Sequence, residues 1–231
     1  MNASTRISLS ILFTLPIIGD ATVFDVSWIG AVDDAWSTPG NWSGGVVPQN
    51  DATDQFNVTI DGDTGVGAFV TLSGDYVDVS SLIIDFGDTL SGYGSIGGSE
   101  GQALINDGLI DANVSSEGLY LSFQDGWVNS GTLQSSNGGI ASLYGDGILD
   151  NTGGMLASSG GGSETIVEYG IVDGGSLSTS DSGRVVVTNG TLSNVTNDGE
   201  TLLRIQGEDE YSVTTPKLSN TITNNAFIYV E

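Results

Sequence analysis

The chain has 231 residues and a formal net charge of −25, because 29 acidic residues stand against only four basic ones. A surface this acidic repels polyanions, so DNA, RNA and anionic membranes are excluded as expected partners. The apolar fraction of 38% is too high for a disordered linker, and the 35 glycines and four prolines favour many short strands joined by tight turns.

The first 21 residues have the pattern of a signal peptide. Arg6 precedes an apolar run from Ile7 to Ile18, and Gly19 and Ala21 are small residues at the −3 and −1 positions of a cleavage site after Ala21. We therefore predict export, a secreted or cell-surface location and no membrane insertion of the mature chain, since the run is short for a membrane span. The alternatives are a buried core element and an uncleaved anchor.

Residues 22–66 form a loop-rich segment that contains three of the four tryptophans. Trp28, Trp36 and Trp42 lie within fifteen residues of one another, among several glycines and prolines. We predict that this segment is an N-terminal cap, because a repeat protein must cover the apolar end of its first repeat and tryptophan supplies large apolar area. The alternative is carbohydrate binding through exposed ring faces of the same three residues.

The stretch DGDTGVG at 61–67 begins like a calcium-binding loop. Asp61 and Asp63 occupy alternate positions, but Gly65 stands where a third ligand is expected and no Glu closes the loop. A turn between two strands is the preferred interpretation. Structural Ca²⁺ at Asp61 and Asp63 is the alternative, and no other cofactor is expected.

Residues 67–231 repeat one short phrase. GLYLSFQDGWVNSGTL (118–133) aligns with GIASLYGDGILDNTGGML (139–156), and ALINDGLIDANV (103–114) carries the same pattern. A fixed period of twenty-odd residues predicts an all-β parallel solenoid in which each phrase is one coil. A β-sandwich is the alternative, because it also uses short strands and Gly-rich turns.

The aligned phrases also predict which residues form the corners of the coils. Gly126 falls on Gly147 at a spacing of 21 residues, and Asn129 falls on Asn151 after one inserted residue. Asn106 occupies the matching place in the upstream phrase. Asn and Gly tolerate positive φ, so we expect these five residues at corners, with the asparagines stacked as a hydrogen-bonded ladder.

The N-x-G-x-L/I phrases between Ala103 and Glu231 resemble the right-handed parallel β-helix repeats of bacterial secreted proteins, including autotransporter passenger domains and surface proteins with C-terminal sorting signals. The pattern W…W…NW-S-G-G-V-V-P-x-x-D also resembles the leader segment that precedes such β-helices. The resemblance implies a right-handed β-helix behind a tryptophan-rich cap. It also implies a structural or adhesive role at a bacterial surface.

The chain has neither His nor Cys, which excludes Ser-His-Asp and Cys-His catalysis and zinc sites of His/Cys type. The basic residues of the mature chain, Arg184, Arg204 and Lys217, are dispersed. We therefore predict a non-enzymatic module whose partners are extracellular glycans. The alternative is a lyase or glycoside hydrolase acting on polysaccharide through carboxylates, which a cleft with acids and Arg or Lys on one face would favour.

The sequence stops at TNNAFIYVE, in the middle of a repeat phrase. We expect residues 227–230 to form a strand on the final coil, whose apolar end would then be uncovered. The repeats are therefore predicted to continue beyond residue 231 or to be covered by another subunit. The isolated chain is predicted to self-associate through this end.

Overall fold

The computed structural model describes residues 21–62, 67–97, 103–123, 126–204, 206–207 and 213–231. The predicted signal peptide lies outside these residues, apart from Ala21, and so does Asp63. The helical part of the described chain is one 3-10 turn, Pro39–Asn41. The strands are β1 Thr22–Ser27, β2 Asp54–Ile60, β3 Phe69–Val77, β4 Ser81–Ile84, β5 Thr89–Ile96, β6 Ala103–Asn106, β7 Leu109–Ala112, β8 Gly118–Phe123, β9 Trp127–Asn129, β10 Thr132–Ser135, β11 Ile140–Gly145, β12 Ile148–Asp150, β13 Met155–Ser159, β14 Glu164–Val167, β15 Ile171–Asp173, β16 Ser176–Ser180, β17 Arg184–Val187, β18 Thr191–Ser193, β19 Thr196–Asn197, β20 Glu200–Leu203, β21 Gln206–Gly207, β22 Val213–Thr214, β23 Lys217–Ser219, β24 Thr223–Asn224 and β25 Phe227–Val230.

The strands stack as a parallel β-solenoid with three faces. Face 1 is a sheet in the order β1-β2-β4-β6-β9-β12-β15-β18-β23. Faces 2 and 3 share one sheet because β5 bends between them: Thr89–Ser91 pairs with β7 on face 2, and Gly94–Ile96 pairs with β8 on face 3. Face 2 continues through β10, β13, β16, β19 and β24, and face 3 through β11, β14, β17, β20 and β25.

The predicted fold class is confirmed: the protein is an all-β parallel solenoid with a tryptophan cluster near its N-terminus. Among the described strands only β21 and β22 form an antiparallel pair. A β-sandwich, whose sheets are antiparallel, is therefore excluded. The first face runs without interruption from β1 through β2 to β4, so the first coils already lie within the segment expected to form the cap.

Period-two alternation in each strand fills the core. Leu104, Ile110, Leu119 and Leu133 are almost fully buried, whereas their neighbours along the strands are partly exposed or lie on the outer side. The interior is a continuous column of Leu, Val and Ile from successive coils. No single coil could bury this area alone, so stability depends on the contacts between coils.

The predicted asparagine ladder forms inside the corner between faces 1 and 2. Asn106 Nδ2 donates to Asn129 Oδ1 at 2.6 Å, and Asn129 Nδ2 donates to Asn151 Oδ1 at 2.6 Å. Asn151 Nδ2 then donates to the carbonyl of Gly174 at 3.1 Å. All three side chains are buried, so these bonds satisfy amide N–H groups that water cannot reach, whereas Asn106 Oδ1, at the N-terminal end of the ladder, has no partner.

The predicted alignment of phrase 118–133 with phrase 139–156, which placed Gly126 on Gly147, is wrong by one residue. Gly118 pairs with Ile140 rather than with Gly139, which brings Leu119 opposite Ala141 with both buried. If the two strands were paired as predicted, the Ile140 side chain would point into the core. The register is set by which side chains must be buried on the inner face of the sheet. Gly126 has φ 93°, as expected at a corner, whereas Gly147 is not among the described glycines with positive φ.

Replacing Gly126 or Gly153 by Ala should destabilise the protein through backbone strain alone. Both have positive φ, and a Cβ at either would meet no atom within 4 Å. The expected loss is about 1–2 kcal/mol for each substitution. Gly161→Ala is the matched control, because its Cβ would also enter open space and its φ is not positive. Denaturant unfolding curves measure the difference, and equal losses at all three sites would refute the strain argument.

The strand predicted for residues 227–230 is confirmed as β25, which pairs with β20. Val230 has the inward position of its strand and is nevertheless 68% exposed. Self-association through this end stays a prediction.

Candidate functional site

The three clustered tryptophans lie inside the cap rather than on its surface. Trp28, Trp36 and Trp42 are 6%, 1% and 1% exposed. Trp42 meets the other two rings edge-on, with centroid separations of 5.0 and 4.6 Å, and its Nε1 donates to the carbonyl of Trp36. Rings buried in this way have no free face to stack on a sugar, so carbohydrate binding by these three residues is not supported and the cap interpretation is preferred.

Asn41 organises the cap, a role that the sequence analysis missed. It is fully buried, and its Oδ1 accepts from the backbone N–H groups of Val32 and Asp33. Its Nδ2 donates to Asp33 Oδ1 and to the carbonyl of Ala35. Hydrogen bonds from Ala35 N–H and from Asn41 lower the pKa of Asp33. The only sequence signal is an Asn at the centre of the Trp-rich stretch.

The ends of the suspected calcium loop are held by a carboxylate on the next coil. Asp88 Oδ1 accepts from Ala68 N–H at 2.6 Å, and Asp88 Oδ2 accepts from Gly62 N–H at 3.1 Å. Asp61 lies in the described part and Asp63 outside it. Within the described ranges no three His, Cys, Asp or Glu side chains are grouped to hold a metal ion. Calcium at Asp61 and Asp63 stays a prediction.

Four exposed tyrosines lie along the outer side of face 3 and its corner with face 1, and we call them the tyrosine row: Tyr76, Tyr120, Tyr144 and Tyr169. Their exposed fractions are 57%, 56%, 50% and 39%. Tyr76 and Tyr120 are both in register with Ser95, so they lie two coils apart in one column, about 10 Å along the axis. Tyr120 and Tyr144 lie on the adjacent strands β8 and β11, whereas Tyr169 lies in the turn after β14, at the corner between faces 3 and 1.

The two C-terminal rings of the tyrosine row are in direct contact. Tyr144 and Tyr169 are in an edge-to-face contact, with centroids 4.9 Å apart. Ser142, two residues before Tyr144, donates to Glu168 Oε1 at 3.0 Å. Two aromatic rings and a carboxylate are thus held next to one another by a ring contact and a hydrogen bond between neighbouring coils.

The C-terminal coils of face 3 carry a second polar cluster, which we call the charged end. It contains Glu164, Arg184, Glu200, Arg204 and Glu231. Arg204 contacts Glu164 at 3.4 Å and Glu231 at 3.6 Å. Arg184 pairs in register with Glu164 and lines a cavity of about 430 Å³ together with Glu200. Basic and acidic side chains therefore do meet on one solenoid face, although they are dispersed in the sequence.

The carboxyl groups whose pKa is raised lie away from face 3. Burial, with repulsion from Asp88 and Asp107, raises the pKa of Asp85 at the corner between faces 1 and 2. Burial raises the pKa of Asp111 on face 2, against hydrogen bonds from Gln134 and Ser136 that lower it. Asp111 Oδ1 is buried and makes no hydrogen bond, so burial is the dominant effect on the pKa of Asp111.

Asp111→Asn should stabilise the protein at neutral pH. A pKa raised in the folded state means that ionisation of Asp111 costs folding free energy. This cost is absent below the unfolded-state pKa and appears as the pH rises through the folded-state value. The melting temperature of the variant should exceed that of the parent at pH 7, and the difference should vanish at acidic pH. A variant that melts lower at pH 7 would show that Asp111 is stabilising when ionised.

In the part of the chain that the structure describes, no helix is long and apolar enough to cross a membrane. Comparison of the chain with protein-family models, with curated proteins and with solved structures found no match.

Proposed function

We propose that the protein is a secreted or cell-surface structural module that binds polysaccharide along face 3 and performs no catalysis. The tyrosine row is the observation that carries this proposal. Tyrosine combines a flat apolar ring with a polar hydroxyl, and exposed rings of this kind suit a ligand that has both apolar faces and hydroxyl groups. Because the last three rings of the row lie on successive coils, an extended polymer is the ligand that contacts several of them at once.

The charge of the protein limits the classes of polysaccharide that it can bind. At a net charge of −25, polyanionic glycans are repelled before contact. The paired strands of face 3 also support a binding role, because they fix the spacing of the tyrosine rings. Rigid placement reduces the ordering cost of binding.

Binding should depend on the C-terminal pair of the tyrosine row. We expect the double variant Tyr144→Ala/Tyr169→Ala to weaken retention of the protein on its best-binding polysaccharide by about tenfold, given the loss of two ring contacts. Phe86→Ala is the matched control, since Phe86 is 92% exposed but lies at the corner between faces 1 and 2. A glycan array identifies the polysaccharide, and affinity electrophoresis measures retention. Equal retention of the double variant and the parent would refute binding at this row.

One observation favours a second function, polysaccharide cleavage. The charged end brings Arg184 and Glu200 to one cavity, the arrangement expected of a cleft with acidic and basic groups. Two carboxylates are the minimum for glycoside hydrolysis. If the protein is an enzyme, it releases new reducing ends from the polysaccharide that it binds, and Glu200→Gln abolishes this release without weakening binding at the tyrosine row. Constant chain length after prolonged incubation would exclude this function.

A further inference from the structure

The charge surrounding the tyrosine row indicates a more specific ligand. Between Arg6 and Arg184 the sequence contains no Lys and no Arg, so every coil that contributes to the row is free of positive side chains. The same coils contain many acids. The electrostatic potential over the row is therefore negative, and it attracts a cationic ligand at long range.

Acidic side chains also lie close to the aromatic rings. Glu168 accepts a hydrogen bond from Ser142 on the coil of Tyr144, and it immediately precedes Tyr169. Asp146 is exposed two residues after Tyr144. The face of an aromatic ring attracts an ammonium group, and a neighbouring carboxylate can pair with the same group. This combination distinguishes the row from a surface that only stacks on uncharged sugars.

The basic residues of face 3 are confined to its charged end. Arg204 contacts two carboxylates there, so its charge is compensated locally. Lys217 is on β23 of face 1. A positively charged polymer can therefore lie over the tyrosine row without meeting an uncompensated arginine before Arg184.

We propose that the ligand of the tyrosine row is a polysaccharide that carries free amino groups in their protonated form, and that the ammonium groups bind between the tyrosine rings and Glu168. This inference rests on the proposed function, because it names the chemical class of the polymer that the row binds. It requires no further component, since the binding is non-covalent.

The test compares two oligosaccharides that differ only in their amino groups. Fully deacetylated glucosamine oligomers and N-acetylglucosamine oligomers of the same length are titrated into the full chain by calorimetry, at a mildly acidic pH that protonates the glucosamine amines. We expect the deacetylated oligomer to bind at least about tenfold more tightly at about 20 mM salt, and the difference to shrink at about 500 mM salt, where screening acts within a few ångströms. The acetylated oligomer should show little salt dependence.

Two variants separate the local contact from the net charge. Glu168→Gln keeps an acceptor for Ser142 and removes one negative charge beside the rings. Asp181→Asn removes the same charge from an exposed turn between faces 2 and 3. The first should weaken binding of the deacetylated oligomer several-fold, while the second should leave it nearly unchanged.

The outcomes distinguish the two proposals. Equal affinities for both oligomers, or tighter binding of the acetylated one, would overturn the amino-sugar inference and leave polysaccharide binding supported. Binding of neither oligomer, with no polysaccharide retained in electrophoresis, would overturn both. Equal effects of Glu168→Gln and Asp181→Asn would overturn the local contact between the ammonium group and Glu168.

Discussion

Asn129→Ala should lower the melting temperature by about 5–15 °C. Asn129 is the central member of the ladder, accepting from Asn106 and donating to Asn151. Replacement of Asn129 removes both hydrogen bonds, and the three asparagines of the ladder are at most 1% exposed. Each buried group left unpaired costs about 1–3 kcal/mol, and in a chain of this size each kcal/mol shifts the melting temperature by about 2–4 °C.

Asn225→Ala is the matched control for this experiment. Asn225 also bonds to another coil, since its Nδ2 donates to Asp198 Oδ1 at 2.7 Å, but both residues are exposed. We expect a loss below about 1 kcal/mol, because water can replace an exposed hydrogen bond. Calorimetry measures both variants. If they melt at the same temperature, the ladder contributes no more than an ordinary surface contact.

Trp42→Ala should open the cap and cost about 3–5 kcal/mol, the usual range for truncating a buried tryptophan. Trp42 touches both Trp28 and Trp36 and holds the carbonyl of Trp36 by a hydrogen bond. The cavity would lie beside the first coils, because the N–H groups of Trp28 and Trp36 donate to carbonyls of β2 and β3. Hydrogen exchange of residues 22–60 should therefore accelerate more than exchange in β13 to β17.

Val46→Ala serves as the control within the same segment, because Val46 is 47% exposed. Its effect on hydrogen exchange should be small, since little apolar area is lost. If exchange in residues 22–60 is unchanged by Trp42→Ala, the tryptophan cluster does not hold the cap closed.

The repeat phrases predict the fold because coil formation is a local property. Apolar residues alternate within each phrase, and Gly or Asn follows where the chain must turn. Asn129 and Asn151 could be placed in one stack from sequence, because the same phrase recurs 22 residues later. The fold class and the ladder were therefore predictable without the structure.

The tyrosine row was not predictable, although its members are 44, 24 and 25 residues apart, close to multiples of the repeat length, because spacing alone does not fix which side chains face outward. Tyr76 and Tyr120 share a column only because an irregularity in β3 between Ser73 and Asp75 shifts the register there. Tyr169 meets Tyr144 from the turn that follows β14, one residue after Glu168, whose N–H donates to the Leu143 carbonyl. Turn length decides which side chain faces outward, as the one-residue error at Gly118 demonstrates.

Composition and repetition by themselves determined a parallel stack of coils, its apolar interior and its negative charge, since each depends on residue type and short-range order. The tertiary structure alone decided that three tryptophans lie inside the cap, that the tyrosine row is exposed, and that Arg204 meets Glu164 and Glu231. These positions depend on strand register between coils. Register is set by packing of the buried faces and by the length of every turn. A single repeat phrase contains neither the packing partner nor the turns of the other coils.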